Sequence, residues 1–294
     1  MSMYYGVDPH HPDLIGLIET AAGKLSDERV RPDVIAMIDG CFDDDLALRF
    51  WKHSRQYEQV IVPLYAHSCL SGLEECAPFL LYLTRSNLLG FLKQSAGKPM
   101  LSILQSPLSL AGLQRHFAAF LQIRTPSDGL CMPLRFADTM CSEKVLAMFD
   151  DGQRAAFCSG FSAWHLINRE GTLTTIAGTC VDLASYTPPV VAEANAIDIT
   201  DKQYARLIDS GEAEYILCNL DEMAPHITTV HKASILYRVI VELLAGMDRR
   251  GIKNDLERRN LIRGALQMPD KFEVLALLDA AQKHGVEAAL QRFA

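Results

Sequence analysis

The sequence predicts an α+β protein: an N-terminal α/β domain with a mixed sheet and hairpins over residues 1–187, then a smaller all-helical domain over 188–294. Three observations predict it. Short apolar runs bounded by turn residues alternate with segments of helical period through the first half. A proline-containing stretch, Tyr186-Thr187-Pro188-Pro189, interrupts the chain, and strand signals all but vanish after it. The length of 294 residues suits two domains, because single cores stop growing at roughly 250–300 residues. With 49% hydrophobic and 22% charged residues, the chain has a globular rather than a disordered composition.

The first element is an amphipathic helix. Pro12 and Asp13 suit its opening turn, and Leu14, Leu17, Ile18, Ala21 and Leu25 follow at helical spacing. Val34-Ile35-Ala36-Met37-Ile38 reads as a buried strand ending at Asp39-Gly40. A helix then starts at Asp43-Asp44-Asp45, where carboxylates complement unsatisfied N–H groups and the positive end of the helix dipole. Val60-Ile61-Val62 is a second strand, with Pro63 implying an edge or a bulge. Phe79–Leu83 and Met100–Leu104 are further strands, with a helix between them over Asn87–Ala96.

Ser109 suits the N-cap of a helix carrying Leu110, Leu113, Phe117, Phe120 and Leu121. Leu121–Arg124 and Met132–Phe136 flank Ser127-Asp128-Gly129, a hairpin signal. A helix over Ser142–Phe149 and a hairpin around Glu170-Gly171 complete the first half. Beyond the linker, Thr200 with Gln203 makes a capping-box start. One long helix is expected from about Pro225 to Met247, ended by Gly251. Asn254 with Glu257 starts another, and Phe272–His284 with Val286–Phe293 closes the chain.

Charge and cysteine usage narrow the function classes. The net charge is −8; residues 1–187 carry 15 Lys+Arg against 20 Asp+Glu, and residues 188–294 carry 13 against 16. Neither half has the basic balance that neutralising nucleic-acid phosphates requires. Residues 1–6 lack the basic and apolar stretches of an export signal, and runs such as Ile61–Ala66 and Ile235–Ala245 are too short or interrupted to span a bilayer. A cytoplasmic chain is expected, with its eight cysteines reduced and packed as small hydrophobes.

Catalytic motifs are weak. Gly160-Phe161-Ser162-Ala163-Trp164 approaches a nucleophile elbow, but Trp stands where a glycine must allow the tight turn. Ser162 reads instead as a strand or turn hydroxyl. Any cysteine could in principle lie near His116 or His165, but nothing selects one; buried thiols and surface imidazoles are expected. His226 and His231 are five apart and chelate poorly on a helix. His10-His11 and Asp43-Asp44-Asp45 lack metal-site spacing, and no phosphate-cradling glycine motif is present. Arg249, Arg250, Lys253, Arg258, Arg259 and Arg263 form a basic cluster, which is either a solvated helix face or a docking surface for an acidic partner.

The order of segments is informative in another way. Ile35-Ala36-Met37-Ile38-Asp39-Gly40, then Ala77–Leu83, then Ser106–Leu113 with Gln114-Arg115-His116, then the Asp128-Gly129 hairpin leading into Leu134-Arg135-Phe136-Ala137-Asp138, resembles the effector-chaperone (adaptor) family of bacterial type VI secretion. The resemblance covers about residues 33–170. It implies a protein that binds a toxic effector, through the effector's N-terminal region, and helps load it onto the VgrG spike, with no catalysis, cofactor, nucleic acid or membrane insertion. Family members commonly continue Arg-Phe-Tyr-Asp-Pro-Arg, whereas this chain has Arg135-Phe136-Ala137-Asp138-Thr139-Met140, which puts the local turn in question. Arg135 and Asp138 are expected to pair across that turn or to face a partner; Arg249, Arg250, Arg258 and Arg259 are the other candidate partner-binding residues. The rival readings are a cysteine hydrolase with a scattered site and an immunity or regulatory protein that binds a toxin.

Overall fold

The structure, a computed structural model, describes residues 5–27, 30–56, 60–66, 68–184, 186–189, 196–268 and 271–293. Part of the export-signal reading, residues 1–4, lies outside them. The chain forms two compact units, Pro9–Asp209, and Met1–Asp8 together with Ser210–Ala294.

The first unit is built on a six-stranded sheet. Its strands are β1 (Val34–Asp39), β2 (Ile61–Pro63), β3 (Pro78–Tyr82), β4 (Leu101–Gln105), β7 (Ala163–Ile167) and β8 (Leu173–Ala177), in the order β2-β3-β1-β4-β7-β8. Every pairing in it is antiparallel. All six residues of β1 are buried, as a continuous apolar run flanked by two other strands requires. Ala36 lies opposite Leu81 on one side and Ile103 on the other. Pro63 lies on the edge strand β2, where its missing N–H costs the ladder nothing.

A second sheet holds β5 (Gln122–Arg124), β6 (Cys131–Pro133) and β9 (Ala196–Asp198), in the order β6-β5-β9. The β5–β6 pairing is the predicted hairpin, and β5–β9 is parallel, so the mixed character sits in this small sheet. Gly129 and Gly171, at the two hairpin turns, have φ of 68° and 71°, which glycine adopts without steric cost.

The helices of this unit are α1 (Leu14–Ala22), α2 (Asp44–Gln56), α3 (Arg85–Gln94), α4 (Leu110–Phe117), α5 (Ser142–Met148) and α6 (Asp151–Cys158). Asp43 Oδ1 accepts from Leu46 N at 3.0 Å, and Ser109 Oγ accepts from Gly112 N at 3.1 Å, so both expected starts are capped. Helix α6 was not anticipated. Its signal was an Asp-x-x-Gln capping box, in which Asp150 and Gln153 bond reciprocally. Phe157, on α6, packs at the centre of an aromatic core. Its ring lies 5.1–6.1 Å from Phe117, Phe120, Phe136, Phe149, Phe161 and Trp164.

Helix α7 (Asp201–Met223) starts with the predicted Thr200–Gln203 box and continues into the second unit. There Ile216, Leu217 and Leu220 pack with α8 (Pro225–Val230), α9 (Ala233–Arg249), α10 (Asp255–Ala265), α11 (Lys271–His284) and α12 (Val286–Phe293). The single long helix expected from Pro225 to Met247 is two helices. Thr228-Thr229-Val230 is a β-branched run of low helix propensity, and His231 and Lys232 are extended. Lys232 cannot cap α9. Asp8 does so instead: its carboxylate accepts from Ser234 N at 3.2 Å and Ser234 Oγ at 2.5 Å.

Candidate functional site

The end of β1 carries a charged cluster. Gly40 passes under the neighbouring strand connection, donating from its N to Ala77 O at 3.1 Å. A Cβ here would lie 2.6 Å from that carbonyl oxygen. Gly40→Ala is therefore expected to destabilise this unit by about 1–3 kcal/mol, read as a lowered urea midpoint. The close pass sets Asp39 so that its Oδ1 accepts from Cys41 N at 3.0 Å and its Oδ2 from Arg135 Nη2 at 3.0 Å. Arg135 also lies 3.6 Å from Asp138 Oδ2, and its guanidinium sits 4.9 Å from the centre of the Phe42 ring.

The cluster is asymmetric in burial. The Asp39 and Asp138 side chains are 3% and 10% exposed, but that of Arg135 is 43% exposed. Two buried carboxylates thus hold a guanidinium that still presents an edge to solvent. Burial opposes the charge of Arg135, but Asp39 and then Asp138 overcome it and raise its pKa. Burial pushes the Asp138 carboxyl up to about 6, with Arg135 working against the shift and Asp39 adding to it. Arg135 lies just past β6 rather than on the strand.

The turn at 138–141 forms without the proline that is common in the resembled family. Asp138 Oδ1 accepts from Met140 N at 2.9 Å, and Ser142 Oγ donates to Phe136 O at 2.8 Å. Phe136 stacks on Phe117 at 5.1 Å, and Ala137 is buried.

The basic cluster divides by environment. Arg258 is buried and donates to both carboxylate oxygens of Glu212 at 2.7 and 2.8 Å, to Asp248 at 2.6 Å and to Ile252 O at 3.1 Å. Its donors are engaged within the helical unit. Arg250 donates to Asp279 and to Gly246 O. Arg259 is half-buried, its guanidinium 5.8 Å from the centre of the Tyr215 ring, and its Nε donates to Asp255 O. Arg249 is exposed.

Arg249 and Arg250 also line a groove of about 870 Å³ in the helical unit. One wall runs along α9, where Ile235, Val239, Glu242, Gly246 and Arg249 recur at helical spacing; Ala265–Met268 and Val274, Leu275 and Leu278 of α11 form the rest. Ile235 and Leu275 are 47% and 45% exposed. Sequence reasoning missed the groove. It is formed by α9, α11 and the turn after α10, which no single stretch of sequence brings together.

The nucleophile candidates depart from expectation. The imidazoles of His116 and His165 are buried rather than at the surface, and Cys41, Cys69, Cys76, Cys131 and Cys218 are exposed, whereas Cys158 and Cys180 are buried as expected. His116 Nε2 donates to Phe157 O at 2.9 Å, and burial lowers its pKa to about 4. His165 Nε2 donates to Gln105 Oε1 at 3.0 Å. Cys41 is exposed as a whole residue, but desolvation of its sulfur, which donates to Cys76 O, and then Asp39 push its thiol up to about 12; burial and Asp138 do the same to Cys141. Both thiolates are disfavoured at neutral pH. Ser162 Oγ donates to Gln105 O at 3.1 Å, as a turn hydroxyl does.

Among the described residues no helix is long and apolar enough to cross a membrane. No curated protein and no solved structure matches the chain significantly. Residues 35–156, running from β1 into α6 and including Asp39, Arg135 and Asp138, match the family model described as a domain of unknown function (DUF4123).

Proposed function

We propose that the chain is a cytoplasmic, non-catalytic adaptor that binds a type VI secretion effector through the effector's N-terminal region and helps load it onto the VgrG spike. The observation that carries this reading is one of position. The family match at residues 35–156 falls within the residues, about 33–170, whose ordered segments resemble the effector chaperones. The groove in the helical unit, with large apolar side chains open to solvent, gives a surface of the kind that protein partners cover. Arg135, held by Asp39 and Asp138 with one edge free, is a second contact point suited to a carboxylate. The test is co-expression with the effector encoded beside this chain. A stable complex through size-exclusion chromatography is the expected result; no stable complex with any neighbour-encoded protein would remove the reading.

A further inference from the structure

The groove has a shape and a charge that specify an occupant. From Ile235 to Arg249, its α9 wall covers 14 residue steps, or about 21 Å at 1.5 Å per residue. That is the length of about four helical turns. Its long walls are the helices α9 and α11, with the turn after α10 between them, so they offer no strand edge for an extended segment to pair with. An extended segment lying on them would leave its own N–H and C=O groups facing apolar side chains, which is costly. A helix satisfies those groups internally and can lay an apolar face in the groove.

The charged side chains of the lining are Arg249 and Arg250 against one carboxylate, Glu242, in a chain whose net charge is −8. Arg250 is engaged by Asp279. Arg249 is exposed at the end of the groove where α9 stops. The groove is thus mostly apolar along its length, interrupted by Glu242 and Gln267, and cationic at that end.

We propose that it seats an amphipathic helix of the effector, about four turns long, with apolar residues against Ile235, Val239, Leu275 and Leu278 and a carboxylate at Arg249. This rests on the adaptor reading and names the surface and the kind of segment it grips.

The test is titration calorimetry of the purified full chain with the neighbour-encoded effector. The variants are Ile235→Asp with Leu275→Asp, Arg249→Glu alone, and Leu256→Asp as a control. Leu256 is 63% exposed and outside the groove lining. The double variant is expected to weaken binding at least ~30-fold, as for central apolar anchors. Arg249→Glu is expected to weaken it about 5–10-fold, with the difference shrinking in 0.5 M salt. The control should bind like the wild type. If the double variant does not fold by circular dichroism, Arg249→Glu, at an exposed position, carries the decision. Groove variants that bind like the wild type would overturn the groove assignment and leave the adaptor reading standing. A wild-type chain that does not bind the effector would end both. A free chain that is dimeric, and monomeric in the groove variants, would show that a second copy occupies the groove, also overturning the proposal.

Discussion

Replacing Phe157 with alanine is expected to cost the first unit about 3–5 kcal/mol, the range for a large aromatic removed from a packed core. Phe157 is fully buried and touches six other aromatic rings drawn from α4, β7 and the segments around them. Those rings cannot all close on the space left behind, so a cavity remains. Both tryptophans, Trp51 and Trp164, lie in this unit. Urea unfolding followed by tryptophan fluorescence therefore reports on it without a signal from the helical unit. A midpoint shift equivalent to less than about 1 kcal/mol would mean that the core repacks more freely than its ring geometry allows.

Acid is expected to weaken the same unit, and His116 supplies the largest part. Its folded pKa is lowered to about 4 by burial, from an ordinary 6.5. Between those values the unfolded chain binds the proton more tightly than the folded one. Stability is therefore fully present above pH 6.5 and is lost as pH falls toward 4. Linkage puts the loss from His116 at about 2 kcal/mol by pH 5. His165, also lowered by burial, acts in the same direction. Asp138 acts oppositely, because its raised pKa of about 6 favours the folded state as pH falls through that value. His116→Gln keeps a donor near Phe157 O but cannot titrate. Its urea midpoint is expected to be lower at pH 7.5, and its stability change between pH 7.5 and 5 is expected to lie about 2 kcal/mol above that of the wild type, because the loss at His116 is gone while the gain at Asp138 stays. An unchanged pH slope in the variant would show that His116 does not carry the effect.

Local signals were legible where their physics is local. Ser109, Thr200 with Gln203, and Asn254 cap the helices that they announce, and two glycine turns close the predicted hairpins. Asp150 with Gln153 was equally readable and shows that a short helix can be overlooked between two longer signals. Contacts distant in sequence were not legible. Asp8 caps α9 from 226 residues away, and Asp39 meets Arg135 across 96, so neither the split helix nor the full charged cluster follows from spacing.

Burial follows neighbours in space rather than neighbours in sequence. Cys218 follows the buried Leu217 on α7, but a helix turns about 100° per residue and carries the thiol outward. His116 lies three residues from Leu113 on α4, and that same spacing puts its imidazole on the buried face. For the candidate site, Arg135 with Asp138 was visible at i, i+3, whereas the groove depends on how α9, α10 and α11 pack together.

The most direct measurement is the amount of effector released into the medium by cells that carry or lack this chain. Release should fall to background without the chain and return when the gene is restored, while the cells' resistance to that effector stays unchanged. Normal release from cells that have become sensitive to the effector would instead identify a protective, toxin-blocking protein and contradict the account.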